Sequence, residues 1–195
     1  MKRLYTLLIV LLAHGVAGAE TFEGYLITKN GHRLTGRIGV IFYAEKTSNV
    51  VFINDFGTEY NIHPALVKGF VFEKNNQKQL YLSKMHREGW AFLRVLYHGE
   101  KMKLYQAPEE KTVIQLSGDL FEQTTVKLEE YWIETEGRPV YRLNKMSFKR
   151  KFRRLVEKNA PELAAKIGRK GYQFKDLLKV VEEYNKLAVA DIKSL

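Results

Sequence analysis

The chain has 195 residues, no cysteine and a formal net charge of +10. The missing thiols exclude disulfide staples, thiolate-built zinc sites and thiol catalysis, and the length lets one domain bury its own core without them. The positive balance directs attention to anionic partners such as lipid head groups, acidic polysaccharide, nucleic acid or an acidic protein.

The first nineteen residues read as an address. Lys2 and Arg3 form a positive n-region, Leu4 to Ala13 an apolar h-region, and Ala17-Gly18-Ala19 a small-x-small cleavage pattern. Cleavage after Ala19 is predicted, with Glu20 as the first mature residue. The apolar run stops at His14 and Gly15, short of the roughly 20 residues that a spanning helix needs, and no transmembrane segment is expected in the mature chain. Without a cysteine near the cleavage site, lipid anchoring is excluded. The predicted location is the periplasm, the outer membrane or the medium. The absence of both cysteine and any N-x-[Ser/Thr] sequon fits a bacterial envelope protein. Loss of Lys2 and Arg3 lowers the net charge from +10 to +8. Export argues against nucleic acid and leaves an anionic envelope component or an acidic protein as the expected partner.

Residues 20–144 read as a β-rich body. Tyr25 to Lys29 and His32 to Leu34 flank Asn30-Gly31, a two-residue hairpin signal. In that register Ile27 pairs Leu34 and Tyr25 faces Gly36, which puts Tyr25, Ile27, Leu34, Ile38 and Phe42 on one core face. Asn49 to Asn54 and Thr58 to Ile62 flank Asp55-Phe56-Gly57. Phe70 to Glu73 and Gln79 to Met85 flank Asn75-Asn76-Gln77. His63-Pro64-Ala65-Leu66 reads as a single turn. Trp90 to Tyr97 is almost continuously apolar, which predicts burial on both faces. Residues 107–122 read mostly as loop, and Val126 to Glu134 with Val140 to Leu143 as a last hairpin around Glu136-Gly137-Arg138.

From residue 145 the period changes to that of helices. Phe148, Phe152 and Leu155 stand at i, i+4 and i+7, with Ser147 as N-cap. A second helix starts near Asn159 with Pro161 in its first turn and ends at Gly168. A third carries Phe174, Leu177, Leu178, Val181, Tyr184 and Ala188 on one stripe. The predicted class is therefore α+β: a mainly antiparallel body, sandwich or partly open barrel, followed by about three helices over 145–195, packed on the body or extending from it.

The stretches GYLITKNGHRLTGRI (24–38), LYHGEKMKLY (96–105) and the helical run 148–185 resemble a group of exported envelope proteins of Bacteroidota, some of which continue into an outer-membrane β-barrel. The resemblance implies an envelope location and no particular activity.

Chemistry-bearing patterns are sparse. Gly31 to Ile38 misses the phosphate-loop motif, since Arg37 and Ile38 stand where Lys and Ser/Thr are required. The mature histidines His32, His63, His86 and His98 include no i, i+4 pair, and His86 with His98 is the one pairing across strands that would bring a metal site, with Glu88 or Glu100. The carboxylates Glu129-Glu130 and Glu182-Glu183 adjoin only in sequence. Tyr81, Trp90, Phe92, Tyr97, Tyr105, Tyr131 and Trp132 alternate as core residues do, although they would also suit a sugar-binding face. No cofactor is implied. The uneven charge lies in the first helix, where Lys149, Arg150, Lys151, Arg153, Arg154 and Lys158 oppose Glu157 alone. The expected function is a non-enzymatic envelope protein that binds a partner or an anionic surface through these residues. The alternatives are a hydrolase of envelope polymers, with scattered carboxylates and histidines, and a periplasmic carrier of a small ligand. Converging carboxylates in a deep cleft would favour the hydrolase, an apolar cavity the carrier, and a filled core with a flat basic face the binding protein.

Overall fold

The structure, a computed structural model, describes the backbone of residues 20–43, 47–108, 110–117, 120–127 and 129–193, and their side chains except at 110–127 and 189–193. The expected signal segment, including Ala17 and Ala19, lies outside the described residues. Twelve strands are described: β1 (Phe22–Thr28), β2 (Arg33–Tyr43), β3 (Ser48–Asn54), β4 (Glu59–Ile62), β5 (Val67–Lys74), β6 (Gln77–His86), β7 (Gly89–His98), β8 (Met102–Gln106), β9 (Glu110–Ser117), β10 (Leu120–Lys127), β11 (Tyr131–Thr135) and β12 (Tyr141–Leu143). Three helices follow, α1 (Lys145–Val156), α2 (Pro161–Lys166) and α3 (Leu177–Lys193). The protein is α+β. Ten strands form one open antiparallel sheet in the order β12-β11-β8-β7-β6-β5-β1-β2-β3-β4, and β9 and β10 form a separate hairpin.

Leu26, Ile38, Val50, Phe52, Phe70, Phe72, Tyr81 and Phe92 belong to one buried cluster. They come from β1, β2, β3, β5, β6 and β7, and a flat sheet cannot bring side chains from six neighbouring strands together. The sheet curls until β3 meets β7, and the seam is marked by the buried Phe92 N–H donating to Ser48 Oγ at 2.7 Å. Of the two architectures expected, this curled single sheet is the partly open barrel. Register shifts between Ile38 and Ile41 and between Val95 and Tyr97 help it bend. Inside the curl Gly24 lies opposite Gly36. A Cβ on Gly36 would stand 2.3 Å from Ile53 O and 2.8 Å from the Phe52 ring, so the ring covers bare backbone.

The other half of the sheet carries the helices. Leu104, Ile133 and Leu143 share a cluster with Phe148, Phe152, Val156, Leu163, Leu177 and Val181, so the helices dock on β8, β11 and β12. Each such side chain contributes roughly 1.5–3 kcal/mol on burial. Strand β7 is buried on both faces only at its centre: Phe92 enters the curl, while Ala91 and Leu93 join Tyr43, Tyr105 and Trp132 on the opposite face, and Trp90 and Val95 to Tyr97, expected to be buried as well, are half-buried.

Several local expectations are corrected. The first hairpin has a three-residue loop: Leu26 pairs Leu34, Gly31 N–H donates to Thr28 O at 2.9 Å and Gly31 has φ +87°. That is a type I turn closed by a left-handed glycine. The one-residue slip puts Leu26 in the core and half-exposes Tyr25 and Ile27. On β2 Ile38 is buried as expected, whereas Leu34 and Phe42 are exposed, Phe42 beyond the register shift between Ile38 and Ile41. In the β5–β6 turn Asn75 and Asn76 both take positive φ, and Gln77 already pairs Lys74. Within 107–122, where turn residues suggest loop, Glu110–Ser117 is strand β9, paired with β10 over Leu120–Lys127; the β-branched runs Thr112-Val113-Ile114 and Thr124-Thr125-Val126 outweigh the turn residues around them. Val126, expected to open the last hairpin, belongs to β10, and that hairpin's first strand is β11, Tyr131–Thr135. Asn144, not Ser147, caps α1, its Oδ1 accepting from Ser147 N–H at 2.8 Å. The buried stripe of α1 ends in Val156 rather than Leu155, and that of α3 uses Val180 rather than Leu178. Ala160, not Asn159, precedes α2.

Candidate functional site

Burial of Phe148, Phe152 and Val156 turns the rest of α1 outward. Lys149, Arg150, Lys151, Arg153, Arg154 and Lys158 are all exposed. None of these six forms a hydrogen bond or ion pair with a described residue. Arg153 and Arg154 sit in the last helical turn, where the helix dipole favours cations.

The basic face is not flat. Arg154, Leu155 and Lys158 form one wall of a cleft of about 790 Å³, Arg138, Glu136 and Lys101 another, and Thr135, Asn159, Tyr184 and Ala188 complete the lining. A neighbouring depression of about 420 Å³ shares Arg138, Arg154 and Leu155 and adds Lys151, Pro139 and Tyr141. Together they make a groove between α1 and the β11–β12 turn. Lys101 Nζ pairs Glu136 at 3.1 Å, and Asn159 Nδ2 donates to Tyr184 OH at 3.2 Å. Arg138 has no ion pair among the described residues. Burial pushes the Tyr141 hydroxyl up to about 12 against the opposing influence of Arg138.

A second polar cluster lies on the far face of the sheet. Glu134 accepts from Lys84 Nζ at 2.5 Å, Lys103 Nζ at 3.1 Å and Tyr105 OH at 2.7 Å. Burial by itself would raise the Glu134 carboxyl, but the hydrogen bonds from Lys84, Tyr105 and Lys103 outweigh it and hold the group at about 2. A carboxylate so strongly held is a poor general base near neutrality. Burial and Glu134 push the Tyr105 hydroxyl well above its ordinary range. Nearby, Glu130 accepts from Tyr43 OH at 2.9 Å and pairs Arg142 at 3.3 Å.

The remaining sequence candidates do not converge. Glu130 is buried and Glu129 exposed, and Glu183 is paired to Lys166 at 3.2 Å. His32 and His98 are exposed. His63 Nδ1 accepts from Ala65 N–H at 3.2 Å and starts a short 3-10 turn. His86 packs against Trp132 with the rings tilted by 56° and their centroids 4.8 Å apart, and burial lowers its pKa. The pairing of His86 with His98 is not made: His86 lies opposite Gly89 and His98 opposite Lys103, at opposite ends of β7. Among the described residues no three His, Asp or Glu side chains are placed to hold a metal ion. Tyr81 and Phe92 lie in the curl, Tyr105 and Trp132 on the opposite face, and Tyr97 and Tyr131 against the helices. Trp90 is half-buried beneath Lys29 Nζ, 4.9 Å from its ring. These aromatics serve packing. Among the described residues no helix is long and apolar enough to cross a membrane.

The α1 cations were visible as a charge run; Lys101, Arg138, Tyr141, Asn159 and Tyr184 were not, because folding brings them to α1 from separate segments. No protein-family model matches the chain, and neither does any curated protein or solved structure.

Proposed function

We propose that this is an exported envelope protein that acts by binding rather than by catalysis, and that the basic face of α1 contacts an anionic envelope component. Export rests on the signal pattern of residues 1–19 and on the resemblance of the body and helices to exported envelope proteins. The observation that carries the binding role is the run of six exposed cations, five on α1 and Lys158 just beyond it, without ion pairs among the described residues, on a helix fixed to the sheet by Phe148, Phe152 and Val156. Cations so held are presented at fixed positions without spending the ordering entropy of a mobile tail.

The test is a variant in which Arg150, Lys151, Arg153 and Arg154 are all changed to Gln. It should melt like the wild type and bind lipopolysaccharide and anionic vesicles more weakly. Wild-type binding should also weaken as salt rises, since exposed charges are screened within about 10 Å at 0.1 M. Equal binding by the variant, or no binding by the wild type, overturns the reading.

A further inference from the structure

The cations of α1 divide into two sets. Lys151 and Arg154 stand at i and i+3, with Leu155 at i+4, on one side of α1, and Lys158 follows in the turn beyond its last residue, Val156. These line the groove, whereas Arg150 and Arg153 line neither of its depressions. Across the groove stands Arg138 on the β11–β12 turn. Lys101 is neutralised by Glu136, so the uncompensated charge is that of Arg138, Lys151, Arg154 and Lys158.

The shape discriminates among anionic partners. A planar bilayer reaches ridge residues such as Arg150 and Arg153, not a recess of about 790 Å³, a size inside the ~300–1,000 Å³ range of ligand sites. A protein partner is anchored by apolar and aromatic side chains in a dry centre, whereas five of the ten residues lining the larger cleft are charged: Lys101, Glu136, Arg138, Arg154 and Lys158. Of its uncharged polar lining groups, the Thr135 hydroxyl is buried and Tyr184 is buried with its OH accepting from Asn159, so the exposed Asn159 side chain is the one that offers a hydroxyl-rich ligand a hydrogen bond. The smaller depression adds the half-buried Tyr141 ring, a surface on which the C–H face of a sugar stacks. The groove runs along the C-terminal half of α1 from Lys151 and on to Lys158 in the turn beyond it, its two depressions joined at Arg138, Arg154 and Leu155, an extended shape that a polymer strand requires.

Building on the reading that the basic face binds an anionic component, we propose that this groove takes a single strand of an acidic polysaccharide. The acidic groups of the strand lie on Arg138, Lys151, Arg154 and Lys158, and a sugar ring lies against Tyr141.

The probe is tetragalacturonate, with maltotetraose as its neutral counterpart, titrated calorimetrically into the mature protein. Wild type should bind the acidic tetramer and not the neutral one. Changing Arg138, Arg154 and Lys158 together to Gln should weaken binding about ten-fold or more, a larger loss than that from Arg150→Gln with Arg153→Gln. Thermal melts confirm that both variants fold, and single changes replace the triple variant if it does not. Equal binding of maltotetraose overturns the proposal, as does loss of binding in the Arg150 and Arg153 variant with retention in the groove variant. If wild type binds phosphatidylglycerol vesicles but not tetragalacturonate, the groove proposal falls and the anionic-surface reading stands. If it binds neither of these nor lipopolysaccharide, both fall.

Discussion

Asn185 on α3 and Met102 at the start of β8 exchange two hydrogen bonds: Met102 N–H donates to Asn185 Oδ1, and Asn185 Nδ2 donates to Met102 O, both at 3.0 Å. The side-chain amide thereby takes the place of a neighbouring strand's peptide. Its remaining capacity is also used, since Oδ1 accepts from Lys101 N–H at 3.0 Å and Nδ2 donates to Val181 O at 2.9 Å. Gly99 allows this approach, because a Cβ there would stand 2.2 Å from Asn185 Oδ1. The same contact fixes Lys101 at the rim of the groove, so helix docking and groove geometry share one residue.

Replacing Asn185 with Leu should therefore destabilise the protein well beyond an ordinary surface change. The Lys101 and Met102 N–H groups would lose their partner, at about 1–3 kcal/mol for each buried group left unsatisfied. A loss of roughly 3 kcal/mol or more in unfolding free energy, read from urea titrations, is expected. A loss below about 1 kcal/mol would mean that water replaces the amide readily.

Two glycines separate conformational strain from steric exclusion. Gly31 has φ +87° and open space around a Cβ, the nearest atom being Lys68 Nζ at 3.9 Å. Gly31→Val should cost about 1 kcal/mol or somewhat more, through backbone strain alone. Gly36 has no room for a Cβ beside Ile53 O, and Gly36→Val should prevent the curl. The expected order is a modest drop in melting temperature for the first and loss of cooperative folding for the second. Equal effects would show that the Gly24–Gly36 crossing is looser than its geometry.

The α+β class, most turns and the helical region were legible because they rest on local chemistry: Asp55-Phe56-Gly57, Asn75-Asn76, Pro161 and Gly168. Register was not. Asn30-Gly31 fits a two-residue loop and the tail of a three-residue loop equally well, and the choice reverses which face of β1 is core. Helix faces blurred where apolar residues adjoin, as at Leu155-Val156 and Leu177-Leu178, because neighbours 100° apart both satisfy an apolar stripe. The groove was illegible for a different reason. Arg138, Tyr141, Arg154, Lys158 and Tyr184 come from two turns, one strand and two helices, and no local pattern reports that they meet.

Processing is the prediction closest to the sequence. Intact-mass measurement of protein recovered from an envelope fraction should match residues 20–195. A mass that retains residues 1–19 would make that segment an anchor and place the groove at a membrane surface.

The Glu134 cluster predicts an acid-sensitive contribution to stability. Its carboxyl lies at about 2 in the folded protein, against a reference value of 4.5. A depressed carboxyl contributes stability that is complete above the unfolded value and is lost as pH falls through the folded one. The window for Glu134 is therefore pH 4.5 down to about 2. Other carboxylates also titrate there, so the informative quantity is the difference between wild type and Glu134→Gln. Gln keeps the shape and an acceptor for Tyr105 but removes the charge facing Lys84 and Lys103. Wild type should melt higher than the variant at pH 6, and the gap should shrink steadily from about pH 4.5 towards pH 2. A gap that stays constant across that range would mean that Lys84, Lys103 and Tyr105 hold Glu134 by geometry alone, with no preference for its ionised form.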